Sequence, residues 1–146
     1  FERLIGRIEI KPPQTIGAYR LEYISHTSGD LARFLARQGE LSEQVPTLSP
    51  IQPLQHVILE QTRERTIAEI SNSDLPRLLV FGDSFFNQLR PYIFEHFSHS
   101  QVVHWGRGRA CLVDLSLIDE LKPDVLILEI VERALGITTS QTWICP

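Results

Sequence analysis

The sequence predicts an α/β fold, in which a parallel sheet is flanked by helices in three layers. Three apolar segments with the length of strands, 77–81, 101–105 and 124–130, alternate with two helical patterns. Strands that alternate with helices form parallel sheets with right-handed crossovers. The last segment contains the unbroken apolar run Val125–Leu128, which is typical of a strand covered on both faces.

The two predicted helices of this regular portion cover residues 84–97 and 112–122, and a further helix is expected to start at 132–135. Pro91 lies inside the first of them, where a missing backbone donor costs about 3 kcal/mol. We therefore expect an irregular turn after Ser84, or a kink, within an otherwise continuous helix.

The regularity of the sequence pattern divides the chain into two portions. The N-terminal portion, residues 1–73, is less regular, and the α/β portion covers residues 74–146. The first portion is predicted to begin with the end of a helix or strand at 1–10, followed by a short helix that Ser28-Gly29-Asp30 begins and Gly39 ends. An extended, proline-rich surface connection follows at 42–53. Two strands are then predicted at 56–59 and 66–70. The charged stretch between these two strands predicts a hairpin-like turn.

Composition excludes several classes of function. The 146 residues are 42% hydrophobic and 22% charged, which is a globular composition with enough residues for one core. The net charge of −4 argues against a general nucleic-acid binder, and no apolar run has the length of a transmembrane helix. Because the chain starts at Phe1 and contains no Met, we expect it to be part of a longer protein.

The cysteines and histidines give no metal or cofactor signature. Cys111 and Cys145 lie far apart and lack the CxxC spacing of zinc and redox sites. Two separate buried thiols are the commoner arrangement for such a pair, and a disulfide is the alternative. The HxxH spacing of His96 and His99 is a weak signal by itself, so we expect neither a metal nor a cofactor.

Polar clusters follow each of the three predicted parallel strands. They are Gly82-Asp83-Ser84, Gly106-Arg107-Gly108-Arg109 and residues 129–133. Ligands of parallel α/β sheets bind at the carboxyl ends of the strands. Three polar clusters on one rim of the sheet therefore predict a functional site there.

Ser84 is the candidate nucleophile of this rim. A serine at a strand-to-helix turn is lifted above the edge of the sheet, and a helix N-terminus behind it favours a developing oxyanion. The alternative is that Ser84 only caps the helix. Asp83 is expected to hold the turn through hydrogen bonds to nearby backbone N–H groups rather than to act as an acid or base.

The other rim residues are candidates for supporting roles. An N–H group of Gly106 or Gly108 could be the second oxyanion donor, or the two glycines could serve only a tight loop. Arg133 could pair with a carboxylate of its cluster, which contains Glu129 and Glu132, and so brace the rim.

No general base for Ser84 is recognisable in the sequence. The histidines are His26, His56, His96, His99 and His104, and none has a carboxylate partner at a spacing that predicts a catalytic pair. A lone histidine is more often a packed or surface residue than a base.

Several short blocks, taken together, resemble one known family. They are Ser28–Arg33, Val80–Phe85, Leu89–Tyr92, Glu95–Ser98, Lys122–Val125 and Glu129–Leu135. Between about residues 26 and 136 the chain resembles the AlgX/AlgJ-like branch of the SGNH hydrolase-like proteins, which is linked to O-acetylation of exopolysaccharides such as alginate. The resemblance implies part of a flavodoxin-like SGNH domain with Ser84 as its nucleophile.

The sequence departs from that branch in three ways. Members place an Asp-x-His pair upstream of the serine, whereas this sequence has none. We therefore expect the pair to precede Phe1, and this chain alone to be nearly inactive. Gly82 stands where the branch often has Arg, and no Asn-Asp block follows the third predicted strand.

The resemblance implies an O-acetyltransferase or acetylesterase that acts on polysaccharide hydroxyls through an acetyl-serine. Its implied partners are the polysaccharide, an acetyl donor and a membrane-bound acetyl-transfer protein, with no nucleic acid. Its implied location is periplasmic, or membrane-associated outside the cytoplasm. The alternative is a non-catalytic carbohydrate-binding or assembly module that keeps the fold and lacks the chemistry.

Overall fold

A computed structural model describes residues 16–27, 34–35, 40, 42–72, 74–105, 111–131 and 142–145. Its strands are β1 (Tyr19–His26), β2 (Glu43–Pro50), β3 (Val57–Gln61), β4 (Arg65–Glu69), β5 (Arg77–Gly82), β6 (His99–His104), β7 (Cys111–Asp114), β8 (Val125–Leu128) and β9 (Thr142–Cys145). Its helices are α1 (Arg90–Ile93) and α2 (Leu115–Leu121), with 3₁₀ turns at Ile16–Ala18, Phe86–Gln88 and Phe94–His96.

The centre of the fold is a five-stranded mixed sheet with the strand order β3-β4-β6-β5-β8. β5 pairs in parallel with β6 and β8, as predicted for the three strands of the regular portion. β3 and β4 form the predicted hairpin, and β4 also pairs antiparallel with β6. The fold is therefore α/β, but the expectation of an all-parallel sheet is wrong because the hairpin joins the same sheet.

β5 is buried on both faces and fixes the position of the residues that follow it. Its four apolar residues Leu78–Phe81 are at most 1% exposed. On one face Val80 packs with Phe86 and Phe94, and on the other Phe81 packs with residues of α2 such as Leu117. Each such side chain contributes about 1.5–3 kcal/mol when fully buried, so the end of β5 is firmly held.

The segment predicted as one helix, 84–97, consists of three short pieces: a 3₁₀ turn, α1 and a second 3₁₀ turn. Pro91 lies in the first turn of α1, where its missing N–H leaves no hydrogen bond unmade. The irregular turn expected after Ser84 is confirmed, whereas the continuous helix is wrong because Pro91 is tolerated near a helix start and not in a helix interior.

The predicted helix 112–122 begins later than expected. Residues Cys111–Asp114 form β7, which pairs in parallel with β9. Asp114 caps α2, because its Oδ1 accepts a hydrogen bond from the N–H of Leu117 at 3.3 Å. Lys122 ends α2 in the left-handed conformation, with φ of 45°.

The proline-rich stretch 42–53, predicted as a surface connection, contains β2, which pairs antiparallel with β1 along its whole length. Pro46 and Pro50 both lie within β2. Each strand of a two-stranded ribbon is an edge strand, and an edge strand tolerates a residue without a backbone donor. The prolines therefore did not exclude a strand here.

The described residues up to Pro53 form one compact unit, and those from Leu54 onward form another. The hairpin strands β3 and β4, placed by sequence in the N-terminal portion, belong to the second unit and to its five-stranded sheet. The division between the units thus lies at residues 53–54 in the structure, against 73–74 in the sequence-based division.

Cys111 and Cys145 form a disulfide that joins β7 to β9. The expectation of two separate thiols is therefore wrong. Their Cα atoms are 5.6 Å apart because the two strands are paired neighbours, which is a separation suited to a disulfide. A separation of 34 residues along the chain gave no sign of that pairing.

Some predicted elements lie outside the described residues. These are the segment at 1–10, most of the helix after Ser28 and the helix start at 132–135. Among the helices that the structure does describe, none is long and apolar enough to cross a membrane.

Candidate active site

The residues after β5 form an exposed turn at the carboxyl end of the sheet. β5 ends at Gly82, Asp83 is half-buried, and Ser84 is exposed to solvent. The carbonyl of Ser84 accepts a hydrogen bond from the N–H of Asn87 at 3.3 Å, which turns the chain away from the sheet immediately after the serine. The hydroxyl of Ser84 is therefore presented at the rim where the sequence predicts a site.

Asp83 stabilises this turn from within. Its Oδ1 accepts a hydrogen bond from the N–H of Phe85 at 2.7 Å, across the serine. This is the kind of bond expected for Asp83 from the sequence, in which a short carboxylate side chain caps a nearby backbone donor. Because the N–H of Phe85 is engaged in this way, it is not available to an oxyanion.

Glu129 links the turn to the neighbouring strand β8. Its Oε2 accepts a hydrogen bond from the N–H of Asp83 at 2.8 Å, and its own N–H donates to the carbonyl of Phe81 at 2.9 Å. Burial raises the pKa of the Glu129 carboxyl, the nearby Asp83 carboxylate raises it further, and the hydrogen bond from the Asp83 N–H opposes both effects. Glu129 was a predicted rim residue, and it does lie beside the serine turn.

Trp105 ties the end of β6 to both of the other strand ends. Its backbone N–H donates to the carbonyl of Gly82 at 3.1 Å, and its indole Nε1–H donates to the carbonyl of Glu129 at 2.9 Å. The sequence pattern predicted Trp105 only as the last residue of the strand 101–105. A buried indole N–H usually finds a hydrogen-bond acceptor, so the position of Trp105 after an apolar strand was the signal that could have indicated this contact.

Gly82 allows these groups to approach one another. A Cβ atom at this position would lie 3.1 Å from Glu129 Oε2 and 3.3 Å from the Cβ of Phe86. Both separations are shorter than ordinary van der Waals contacts. A side chain at position 82 would therefore push the Glu129 carboxylate away from the turn.

Three of the predicted site residues lie outside the described part of the chain. They are Gly106, Gly108 and Arg133. Their roles as oxyanion donors or as a brace for Glu129 stay predictions.

Two histidines pair with carboxylates far from Ser84. His56 Nδ1 lies 2.6 Å from Glu95 Oε1, and His99 Nδ1 lies 3.0 Å from Glu69 Oε1. His99 is paired in the sheet with Arg77, the first residue of β5, whereas Ser84 follows the last residue of that strand. Both His–Glu pairs are therefore at the opposite end of the sheet from Ser84.

His104 is the histidine of the central sheet that lies at the same end as Ser84. The sheet pairs it with Gly82, and the residue is 6% exposed. Because side chains alternate along a strand, its imidazole lies on the face of β6 that also carries Val102. His96 follows α1, and burial lowers its pKa.

The broken helix changes the electrostatics that the sequence predicts. A continuous helix after Ser84 would place a macrodipole behind an oxyanion. The 3₁₀ turn Phe86–Gln88 has three residues and α1 has four, so neither contributes such a dipole. Within the described residues, the N–H of Ser84 makes no hydrogen bond, so this donor is open to a bound group.

The side chains that commonly bind metal ions do not cluster in the part of the chain that the structure describes. No group of three or more His, Cys, Asp or Glu side chains there is arranged to hold an ion. The groups at the rim are a hydroxyl, two carboxylates, an indole and backbone donors.

Comparison with solved structures shows the fold. The chain is similar to Bacillus cereus PatB1 with a sulfonyl adduct, with a TM-score of 0.65 and 11% identity over 97% of this chain and 56% of PatB1. For a second structure of Bacillus cereus PatB1, the TM-score is 0.58 and the identity 11%, over 92% of this chain and 56% of PatB1. For a DHHW family protein from Eubacterium siraeum, the TM-score is 0.61 and the identity 14%, over 91% of this chain and 55% of that protein.

These similarities define the class of fold and no more. No family model matches the chain, and no curated protein matches it. The chain spans a little over half the length of the solved structures to which it is similar. It therefore shares the α/β fold of PatB1 and of the DHHW family protein, while the resemblance to the AlgX/AlgJ-like branch stays a prediction.

Proposed function

We propose that this chain carries the serine-bearing half of a polysaccharide O-acetyltransferase, or of an acetylesterase of the same fold. The observation that carries the proposal is the exposed Ser84, held at the carboxyl end of β5 by Asp83 and Glu129. Active sites that use a serine on a strand-to-helix turn have this arrangement. The chain also shares its fold with PatB1, of which one structure holds a sulfonyl adduct.

In the proposed reaction, Ser84 Oγ attacks the carbonyl carbon of an acetyl ester, and a general base takes the hydroxyl proton. The bond between the carbonyl carbon and the leaving oxygen then breaks, and the leaving oxygen receives that proton. A sugar hydroxyl next attacks the acetyl-serine and gives its proton to the same base. The bond between the acetyl carbon and Ser84 Oγ then breaks, and the base returns the proton to Ser84 Oγ. The resemblance assigns the base to a histidine of an Asp-x-His pair.

The oxyanion that forms during each attack needs donors aimed at it. We propose the N–H of Ser84 as one of them, because it has no other acceptor within the described residues. The second donor would come from Gly106 or Gly108, which follow Trp105 in the sequence. Trp105 supports this assignment because its backbone N–H is bonded to Gly82.

The sulfonyl adduct of PatB1 suggests a direct experiment. A sulfonyl fluoride transfers its sulfonyl group to an activated hydroxyl and releases fluoride. In the protein that carries the proposed Asp-x-His base, we expect methanesulfonyl fluoride to add one sulfonyl group, located at Ser84 by peptide mass spectrometry. Ser84→Ala should lose this modification, and Ser71→Ala, which removes another exposed serine, should keep it. Equal labelling of Ser84→Ala and the unsubstituted chain would overturn the assignment.

We also propose that the protein acts outside the cytoplasm, with a membrane-bound partner as the source of acetyl groups. The disulfide between Cys111 and Cys145 supports an oxidising compartment, because such bonds rarely persist in the cytosol. The test is to express the protein with and without export. We expect the disulfide only in the exported form.

A second candidate is a carbohydrate-binding or assembly module that lacks the chemistry. It is favoured by the position of the two histidine–carboxylate pairs, which lie at the far end of the sheet from Ser84. Polysaccharide binding that survives Ser84→Ala, in a protein that no sulfonyl fluoride modifies, would support this candidate instead.

A further inference from the structure

β8 is an edge strand of the five-stranded sheet, yet its sequence is typical of a central strand. The run Val125–Leu128 is apolar throughout, as in strands that are covered on both faces. Val125 and Ile127 pack against the core, whereas Leu126 and Leu128 are 46% and 44% exposed. One face of β8 is therefore half open to solvent although its residues are apolar.

The backbone of β8 has unused hydrogen-bonding groups at the same two leucines. The N–H of Glu129 donates to the carbonyl of Phe81, so it points toward β5. The peptide groups of alternate residues point to opposite sides of a strand, so Ile127 also faces β5, whereas Leu126 and Leu128 face away from it. Among the described residues, β8 pairs with no strand other than β5. Its outward N–H and C=O groups can therefore pair with a further strand.

The opposite edge of the sheet is built differently. β3 has a β-bulge between Ile58 and Glu60, and Glu60 forms an ion pair with Arg65. Bulges and charged side chains are common means of keeping an edge strand from pairing with another chain. β8 pairs with β5 without a bulge, and Val125–Leu128 contains no charged residue and no proline. The comparison indicates that the sheet ends at β3 and continues beyond β8.

We propose that an apolar β-strand from outside residues 1–146 pairs with β8 and extends the sheet. This inference rests on the proposed function, in which the chain is one half of a longer protein. This chain spans a little over half the length of the solved structures that share its fold, and a strand needs only about five residues. A second copy of the chain is the competing occupant of the edge, but it would add another Ser84 and no base.

The added strand also reaches the candidate active site. β8 ends next to Glu129, whose carboxylate accepts from the N–H of Asp83 at 2.8 Å. Because neighbouring strands are about 4.8 Å apart, a strand paired with β8 lies about 10 Å from β5, the strand that presents Ser84. One end of the added strand therefore lies at the rim where the proposed reaction needs its general base.

The test is amide hydrogen exchange, followed by NMR, on the protein that the complete reading frame encodes. We expect the N–H groups of Leu126 and Leu128 to exchange within about tenfold of the rate of Ile127, which faces β5. An alternating pattern, in which Ile127 is protected and both leucines exchange as freely as unprotected amides, would overturn the proposal. Protection that is lost on dilution, together with a dimer in light scattering, would assign the edge to a second copy and would also overturn it.

Leu126→Lys and Leu59→Lys form a matched pair, because each places a charge on a half-exposed or exposed leucine of an edge strand, at 46% and 58% exposure. In the longer protein, we expect Leu126→Lys to lower the unfolding midpoint in urea, since the added strand would bury the charge. Leu59→Lys should leave the midpoint unchanged. Equal shifts for the two variants would contradict the proposal. If Leu126→Lys does not fold, the exchange rates of the unsubstituted protein decide.

Sulfonyl labelling distinguishes this inference from the proposed function. Labelling at Ser84 in a protein whose β8 edge exchanges freely would overturn the added strand alone. Protected amides at Leu126 and Leu128 without labelling at Ser84 would overturn the proposed chemistry and support the added strand.

Discussion

The carboxylate of Glu129 accepts a hydrogen bond from the backbone N–H of Asp83 at 2.8 Å, and so connects the end of β8 to the residue before Ser84. The two residues lie far apart in the chain and meet because β5 and β8 are parallel neighbours. The side chain of Asp83 in turn holds the N–H of Phe85. The backbone on both sides of the serine is therefore fixed by carboxylates.

The first prediction concerns the charge on Glu129. Its raised pKa means that the folded state binds a proton at this carboxyl more readily than the unfolded state does. The protonated carboxyl therefore contributes to the free energy of unfolding at pH values below its pKa in the unfolded chain. This contribution is lost as the pH rises through its higher pKa in the folded protein. Glu129→Gln keeps an oxygen acceptor and carries no charge. We therefore expect the free energy of unfolding in urea of Glu129→Gln to rise, relative to that of the unsubstituted protein, as the pH increases from 4 to 7.

The gain should be less than about 1 kcal/mol, because the Glu129 carboxyl keeps contact with solvent. Glu129→Ala is the informative partner variant, since it leaves the N–H of Asp83 without this acceptor. We expect it to lose about 1 kcal/mol or more at both pH values. A Gln variant that is less stable than the unsubstituted protein at pH 7 would show that the turn needs a charged acceptor.

The second prediction concerns Gly82. Gly82→Ala introduces a Cβ 3.1 Å from Glu129 Oε2 and 3.3 Å from the Cβ of Phe86. Overpacking of this kind typically costs about 1–3 kcal/mol. We expect a lower midpoint of unfolding in urea and slower sulfonyl labelling of Ser84, because the displaced carboxylate no longer positions Asp83.

A double variant separates the two contacts of the added methyl group. In a Glu129→Ala background the carboxylate is absent, so Gly82→Ala should cost less there than in the unsubstituted protein. A difference above about 0.5 kcal/mol would indicate coupling between the two positions. Additive costs would assign the whole effect to Phe86.

How far the sequence led to this site can be judged from individual residues. The buried strand before Gly82, the parallel arrangement and the exposed serine followed from local signals: an unbroken apolar run, alternating elements and a Gly-Asp-Ser turn. The Asp83 hydrogen bond also followed, because its partner is two residues away. All of these features depend on residues close together in the chain.

The features that were not predicted depend on partners that are distant in the sequence. Trp105 donates to Glu129, 24 residues away, and Cys111 bonds to Cys145, 34 residues away. No local pattern specifies such partners, since they are chosen by the strand order. The helix predicted over 84–97 failed for a different reason, because Pro91 restricted α1 to a single short turn that the apolar spacing alone did not reveal.

The third prediction concerns the disulfide. It closes a loop between residues that are 34 apart, and chain-entropy arguments give such a crosslink about 4 kcal/mol. We expect Cys111→Ser, Cys145→Ser and the double variant to lose similar amounts of stability in urea. A double variant that loses about twice as much as either single variant would show that each cysteine stabilises the fold through packing and not through the bond.

The fourth prediction concerns Glu95, which is 2% exposed. Its carboxylate accepts hydrogen bonds from the N–H groups of Gln55 and His56, each at 3.0 Å, and contacts the His56 imidazole. Glu95→Ala leaves these part-buried donors without their acceptor, at an expected cost of about 1–3 kcal/mol. Thermal unfolding followed by circular dichroism measures the loss.

The His99–Glu69 pair provides the control for Glu95. The Glu69 side chain is 50% exposed, and exposed ion pairs contribute at most about 1 kcal/mol. Glu69→Ala should therefore change the unfolding temperature much less than Glu95→Ala. Equal effects of the two substitutions would contradict the view that burial makes the Glu95 contacts costly to remove.

The fifth prediction concerns Trp105 and separates positioning from stability. Trp105→Phe keeps an aromatic ring and removes the indole N–H that bonds to the carbonyl of Glu129 at 2.9 Å. A hydrogen bond of this type contributes about 1 kcal/mol to stability, so the protein should remain folded. The end of β8 would lose one of its links to β6, and Glu129 would hold Asp83 less firmly. We expect slower sulfonyl labelling of Ser84 in a variant that loses no more than about 1 kcal/mol of stability.

Trp143→Phe is the matched control, because Trp143 is 43% exposed on β9 and the same atoms are removed. It should leave the labelling rate unchanged. With only two tryptophans in the chain, each variant also leaves a single indole whose fluorescence reports on one place in the fold. If Trp105→Phe labelled as fast as Trp143→Phe, the bond from Trp105 to Glu129 would be a feature of the fold alone. Slower labelling in Trp105→Phe alone, under conditions in which both variants remain fully folded, would assign Trp105 a positioning role.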